Sequence, residues 1–162
     1  MIGLVSVLCY SQPLIPSSVE QPWSTLCNYS TVQLNSQGQY VLQCGRNTSG
    51  VAWGKFRDDS DSDGWGKLYV HSNAKSPDLH QMTAAGFLEG ALTSTRISQH
   101  YTNFMSYRFP DGIDERLRSF SARHWKWLRK YTAEQVQKGG EESWYWHHIE
   151  LLLAQLDGLM EG

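Results

Sequence analysis

Gly64–Phe104 reads GWGKLYVHSNAKSPDLHQMTAAGFLEGALTSTRISQHYTNF. Trp65, Lys67 and Tyr69 alternate with Gly66, Leu68 and Val70, the period of a strand with two unlike faces. Ser76-Pro77-Asp78 is a helix start, with Ser76 as N-cap and Pro77 in the first helical position. The helix that follows is expected to run to near Tyr101. Its middle is nearly bare: Ala84, Ala85, Gly86, Gly90 and Ala91 surround Phe87 and Leu88. Each interior glycine costs about 1 kcal/mol relative to alanine. That cost is offset if another backbone packs closely there. Glu89 projects from the bare surface, with Ala85, Gly86, Leu92 and Thr93 around it at helical spacing.

Outward from this stretch, the first part of the chain reads as strands and the second as helices. The segment between Cys27 and Cys44 is strand-like, with Gln39–Gln43 its clearest part, and Val51–Phe56 follows. Val51–Phe56 and Trp65–His71 form a hairpin across the polar loop Arg57–Gly64. Asp59, Asp61, Asp63 and Gly64 imitate half of a calcium loop, but Val70 stands where a bidentate glutamate is needed. The loop reads as a solvated acidic turn.

After a break at Phe109-Pro110-Asp111-Gly112, a second helix is expected from near Asp114 to Lys138. Its buried stripe would be Leu117, Phe120, His124, Trp127, Leu128 and Tyr131, with His124 hydrogen-bonded in the core. Arg116, Arg118, Arg123, Lys126, Arg129 and Lys130, with Trp125 among them, form its basic side. That side is either a solvated face or a surface for lipid headgroups or phosphate. A third helix opens with Glu141-Glu142, carries Tyr145, Ile149, Leu152, Leu156 and Leu159 on one face, and ends with Gly158 as its C′ residue. Strands followed by three helices make an α+β layered fold.

The ordered set GVAWG (Gly50–Gly54), GWGKL (Gly64–Leu68), Met82–Asn103 (MTAAGFLEGALTSTRISQHYTN) and AQLDGL (Ala154–Leu159) resembles the phospholipase B-like family, also called the laminin ancestor or lysosomal 66 kDa protein family. The resemblance covers about Gln39 to Gly162. It implies an N-terminal-nucleophile hydrolase architecture, an αββα sandwich of two stacked sheets between helical layers, of which this chain holds part. It further implies an internally cleaved precursor whose newly exposed cysteine attacks an ester or amide while its own α-amino group takes the proton. In the family that cysteine follows the AQLDGL segment. No cysteine follows Cys44 here, so the chain is expected to be the N-terminal portion, at residues 12–162, and inactive alone. Its partner would be the C-terminal part of the same precursor, and its substrate a lipid or an amide. The other reading is a non-catalytic glycosylated scaffold or a truncated gene product. Cys44-Gly45 is out of order for the nucleophile and reads as a structural thiol or half-cystine. Glu89, His100, Tyr101 and Asn103 are the site-supporting candidates, with packing support rather than direct catalysis for Glu89; the alternatives are a surface pairing of Glu89 with Arg96 or Thr93, and helix capping by the other three.

Met1–Ser11 reads as a short secretory signal, with a buried first strand as the alternative. Cys27 and Cys44 form a disulfide if the compartment is oxidising, and are otherwise two unrelated thiols. The sequons at Asn28 and Asn47 agree with secretion, and the family likeness with secretion or the lysosome. The 162 residues suit one domain or part of one. A net charge of −2 gives no global electrostatic case for nucleic acid or for an anionic membrane. The six histidines show no metal-binding spacing, and adjacent His147 and His148 point about 100° apart on a helix, so no metal or cofactor is expected.

Overall fold

The computed structural model describes residues 27–162, so the expected signal at residues 1–11 lies outside the described residues. Four strands precede three helices: β1 (Ser30–Leu34), β2 (Tyr40–Cys44), β3 (Ala52–Asp59), β4 (Trp65–Ser72), α1 (Asp78–Arg108), α2 (Glu115–Lys138) and α3 (Ser143–Glu161). The fold is α+β. The described residues divide into two units: residues 27–95 with Leu151–Gly162, and Arg96–Glu150.

The first unit holds the sheet. Its strands are antiparallel in the order β2-β1-β3-β4. The strand-like stretch between the cysteines is therefore two strands, of which β1 had no separate boundary in the sequence reading. They turn at Asn35, whose Oδ1 accepts from the backbone N–H of Gln37 and Gln39, both at 2.9 Å. The β2–β3 connection is fixed by Thr31. Its buried hydroxyl donates to the Gly45 carbonyl at 2.7 Å and accepts from Asn47 N–H at 2.9 Å.

Alternation divides the sheet residues between two faces. Val32, Ala52, Phe56, Leu68 and Val70 pack with Ala84, Leu88 and Leu92 of α1. Gly54 lets this contact close: a Cβ there would stand 3.1 Å from Leu88 Cδ2 and would meet the Tyr69 carbonyl. At one edge, Tyr40 Oη and His80 Nδ1 lie 2.8 Å apart, joining β2 to α1, and burial pushes the Tyr40 phenol pKa up. The acidic residues around the β3–β4 turn, Asp59 at the end of β3 and Asp63 in the loop, are engaged by cations. Lys67 bridges Asp59 and Asp63, and Arg57 Nε lies 2.6 Å from Asp59. Hydrogen bonds from Lys67, then Arg57, hold the Asp59 carboxyl below its ordinary range.

Three helix readings need correction. Helix α1 continues past Tyr101 to Arg108. No breaker intervenes before Pro110, which restricts Phe109 against further helix. Gly158 is not a C′ residue: α3 runs through it to Glu161, and Gly158 is buried. In the second unit, Asp114 caps α2, its side chain accepting from Arg116 N–H at 2.7 Å. The expected buried stripe of α2, however, is largely on the surface. Phe120 is 59% and Trp127 52% exposed, Leu117 is exposed, and Leu128 and Tyr131 are half-buried. Fully buried instead is Thr132. His124 is exposed, stacked on Phe120 and tilted against Trp127, not placed in a core. Helical period identifies an apolar stripe but does not say what covers it.

Candidate functional site

The bare surface of α1 meets α3 within the first unit. A Cβ on Gly86 would strike the Gln155 carbonyl, and one on Gly90 the Leu159 carbonyl. The relation is mutual: Cβ atoms on Gly158 and Gly162 would strike the carbonyls of Thr83 and Phe87. Two glycine pairs of four-residue spacing thus let the helix backbones touch. Methyl groups at these positions would hold them apart, so each glycine is explained by the other helix and not by a turn.

Glu89 stands beside this crossing. Its side chain is half-buried and its Oε2 accepts from Gln155 Nε2 at 3.4 Å. Thr93 Oγ1 donates to the Glu89 main-chain carbonyl at 2.7 Å, so the threonine leaves the carboxylate unengaged. A polar side chain of α3 therefore meets the one carboxylate on the small-residue surface. The other three candidates belong to the second unit. His100 is exposed and stacks on Phe104 with ring centroids 6.4 Å apart, Tyr101 is half-buried, and Asn103 is exposed.

The sheet face turned away from α1 carries a second constellation that the sequence reading did not single out. Trp53 stacks on its cross-strand partner His71 at 5.8 Å and 13°. Lys55 Nζ lies over the rings of Tyr29 and Tyr69 at 5.2 and 5.4 Å. Trp65 is 71% exposed and Tyr69 is exposed. The buried Trp53 Nε1 has no hydrogen-bond partner among the described residues. The alternation of Trp65, Lys67 and Tyr69 was a signal for this face, since period two puts all three on one side.

Cys27 and Cys44 are joined in a disulfide, Cα–Cα 5.4 Å. Asn28 and Asn47 are both exposed. Asn47 sits in a local turn in which its Oδ1 accepts from Ser49 N–H at 3.0 Å and Ser49 Oγ at 2.6 Å, using the third residue of its own sequon. Among the described residues no group of His, Cys, Asp and Glu is disposed to hold a metal, and no helix is long and apolar enough to cross a membrane.

The family profile described as Phospholipase B matches residues 52–162, which takes in β3, β4, the α1–α3 crossing and the second-unit helices. The chain belongs to the phospholipase B family. Phospholipase B-like protein C of Dictyostelium discoideum is 30% identical over 135 residues, covering 82% of this chain and 23% of that protein. Putative phospholipase B-like 2 of Bos taurus is 32% identical over 130 residues, covering 77% and 21%. Phospholipase B of Crotalus adamanteus is 29% identical over 140 residues, covering 83% and 24%. The chain thus spans under a quarter of the length of these relatives. In the phospholipase B family, the four segments GVAWG, GWGKL, Met82–Asn103 and AQLDGL now have physical roles here. The first two are in or beside paired strands, Gly54 admits Leu88 of the third, and the third and fourth interlock through glycine.

Proposed function

We propose that this chain is the N-terminal part of a phospholipase B-like hydrolase that cleaves acyl ester or amide bonds. The rest of the αββα sandwich, including the cysteine nucleophile, is supplied by the C-terminal part of the same precursor. Family membership carries this reading. The open sheet face supports it: exposed Tyr69 and Trp65 and half-buried Trp53 lie on the side where a second sheet would stack. In this reading the chain lines the substrate pocket and holds the catalytic part, with Glu89, His100, Tyr101 and Asn103 as site-supporting residues. Attack by the thiolate gives a thioester and releases the alcohol or amine; water then releases the acid and restores the thiol.

The test compares the purified chain with a longer product that continues through the C-terminal part. The chain alone is expected to release no fatty acid from phosphatidylcholine, to release no amine from an N-acyl amide, and to bind the dye ANS through its exposed apolar surface. The longer product is expected to hydrolyse one of the two, and replacing its first cysteine after the AQLDGL segment by alanine should abolish that. Hydrolysis by the isolated chain, or a cooperative thermal transition without ANS binding, would refute the reading.

A second reading, a non-catalytic glycosylated scaffold, is favoured by one observation: both described cysteines are in the disulfide, so no described residue offers a free thiol. An inactive longer product would select it. Both readings put the chain in the secretory route, to the exterior or the lysosome. On secretion from a eukaryotic host, glycosidase digestion is expected to shift its gel mobility in two steps. Asn28→Gln and Asn47→Gln should each remove one step. A single mobility unaffected by the enzyme would count against this compartment.

A further inference from the structure

The exposed side of α2 carries an aromatic ladder. Phe120, His124, Trp127 and Tyr131 follow one another with centroid spacings of 5.9, 5.4 and 5.4 Å, the first and last pairs stacked and His124–Trp127 tilted, and Trp146 of α3 meets Tyr131 edge-on at 5.0 Å. Such a stripe on a helix surface calls for an apolar cover. The charges beside it discriminate between covers. Helix α2 holds seven Lys and Arg against two Glu, a net +5 in a chain whose total is −2. Arg116, Arg123 and Lys130 recur every seven residues. At about 100° per residue they follow one flank of the ladder, roughly 50 to 90° from its centre, with Lys126 beyond them. Asp114 and Glu134 meet Arg116 and Lys130 in exposed pairs at 3.3 and 3.6 Å, which are weak in water. Arg123 and Lys126 have no acidic partner among the described residues.

We propose that this face of α2 is an interfacial binding surface for an anionic phospholipid bilayer. The ladder and Leu117 would lie at the level of the headgroups, with the Arg116–Arg123–Lys130 flank against their phosphates. An amphipathic helix with aromatic and leucine residues on one side and cations on the adjoining side has the composition of a helix lying in a membrane interface. Trp and Tyr favour that depth, where the ring is partly apolar and its polar edge stays wet. An apolar protein groove would accept the rings but leave the neighbouring cations without counter-charge. An anionic headgroup plane answers both. The surface does not depend on the hydrolytic reading, because attachment is measured without turnover.

The test is cosedimentation of the full 162-residue chain with vesicles of phosphatidylcholine alone and of phosphatidylcholine with phosphatidylserine. Binding is expected to the phosphatidylserine vesicles by preference, to weaken with salt, and to move tryptophan emission to shorter wavelength. A cation near an anionic surface contributes about fivefold in partitioning, so the R123Q/K126Q variant should bind these vesicles about 25-fold more weakly. The F120S/W127S variant should lose the emission shift. All four residues are exposed, and circular dichroism checks that the variants keep their helix content. Equal partition onto the two vesicle types, or undiminished binding by R123Q/K126Q, would overturn the proposal. So would absence of vesicle binding together with a dimer that F120S/W127S dissociates, which would assign the ladder to a second copy of the chain.

Discussion

Replacing Gly86 by valine is expected to open the first unit at the α1–α3 crossing. The branched side chain would begin at a position already occupied by the Gln155 main-chain carbonyl, so no rotamer relieves the clash and the helices must separate. Valine has the better intrinsic helix propensity, by a few tenths of a kcal/mol, which is too little to compensate. Overpacking at a closed contact costs about 3 kcal/mol, or about a hundredfold in the local opening equilibrium. Amide hydrogen exchange at Leu88 and Leu92, both buried in the sheet-facing core, reads that change directly. The Ser94→Val control changes an exposed position on the same helix and should shift exchange by a small factor only. Combining Gly86→Val with Gly158→Val should cost well under the sum of the two, because helices already parted do not clash again. Unchanged protection in Gly86→Val would mean that the two backbones are not in contact.

That crossing was half legible in the sequence. Gly86 and Gly90 in an otherwise sound helix require a close neighbour, and the helix period puts them on one side. The identity of the neighbour was hidden because Gly158 sits three residues before the end of α3 and imitates a stop signal; only tertiary contact distinguishes a terminal glycine from an interfacial one. Strands β3 and β4 were readable because their alternation faces a real difference between core and outside. Strand β1 was harder: STVQL has a polar start, and its Ser30 and Thr31 are buried by tertiary context. The α2 stripe misled for the opposite reason, since its rings satisfy the spacing of a core face while lying open. Of the candidate site, Glu89 could be located because its carboxylate stands alone among small residues. The outer-face group of Trp53, Lys55, Tyr69 and His71 is assembled across two strands, so recognising it needs the register as well as the alternation.

Removing the Cys27–Cys44 disulfide as Cys27→Ala/Cys44→Ala is expected to loosen the β2 edge of the sheet far more than the β3–β4 hairpin. The crosslink spans 17 positions, and closing a loop of that length in the unfolded chain corresponds to about 3 kcal/mol at 25 °C. The location of the loss follows from topology. Strand β2 is an edge strand hydrogen-bonded only to β1, and Cys44 is in register with Ser30, at the end of the ladder nearest Cys27. Once the bridge is gone, that end is held by the Gly45 N–H bond to the Tyr29 carbonyl at 2.7 Å and by the Thr31 hydroxyl. The other end keeps the Tyr40–His80 contact, so fraying should begin at Cys44 and proceed towards Tyr40. Hydrogen exchange should therefore accelerate by up to about a hundredfold at Val41 and Gln43, with a much smaller change at Lys55 and Tyr69 on the paired β3–β4 strands. Reduction of the native chain with a thiol should reproduce the same gradient. A uniform rise across all four strands would mean that the sheet opens as a single cooperative unit, and no rise at β2 would mean that the crosslink leaves the edge unconstrained.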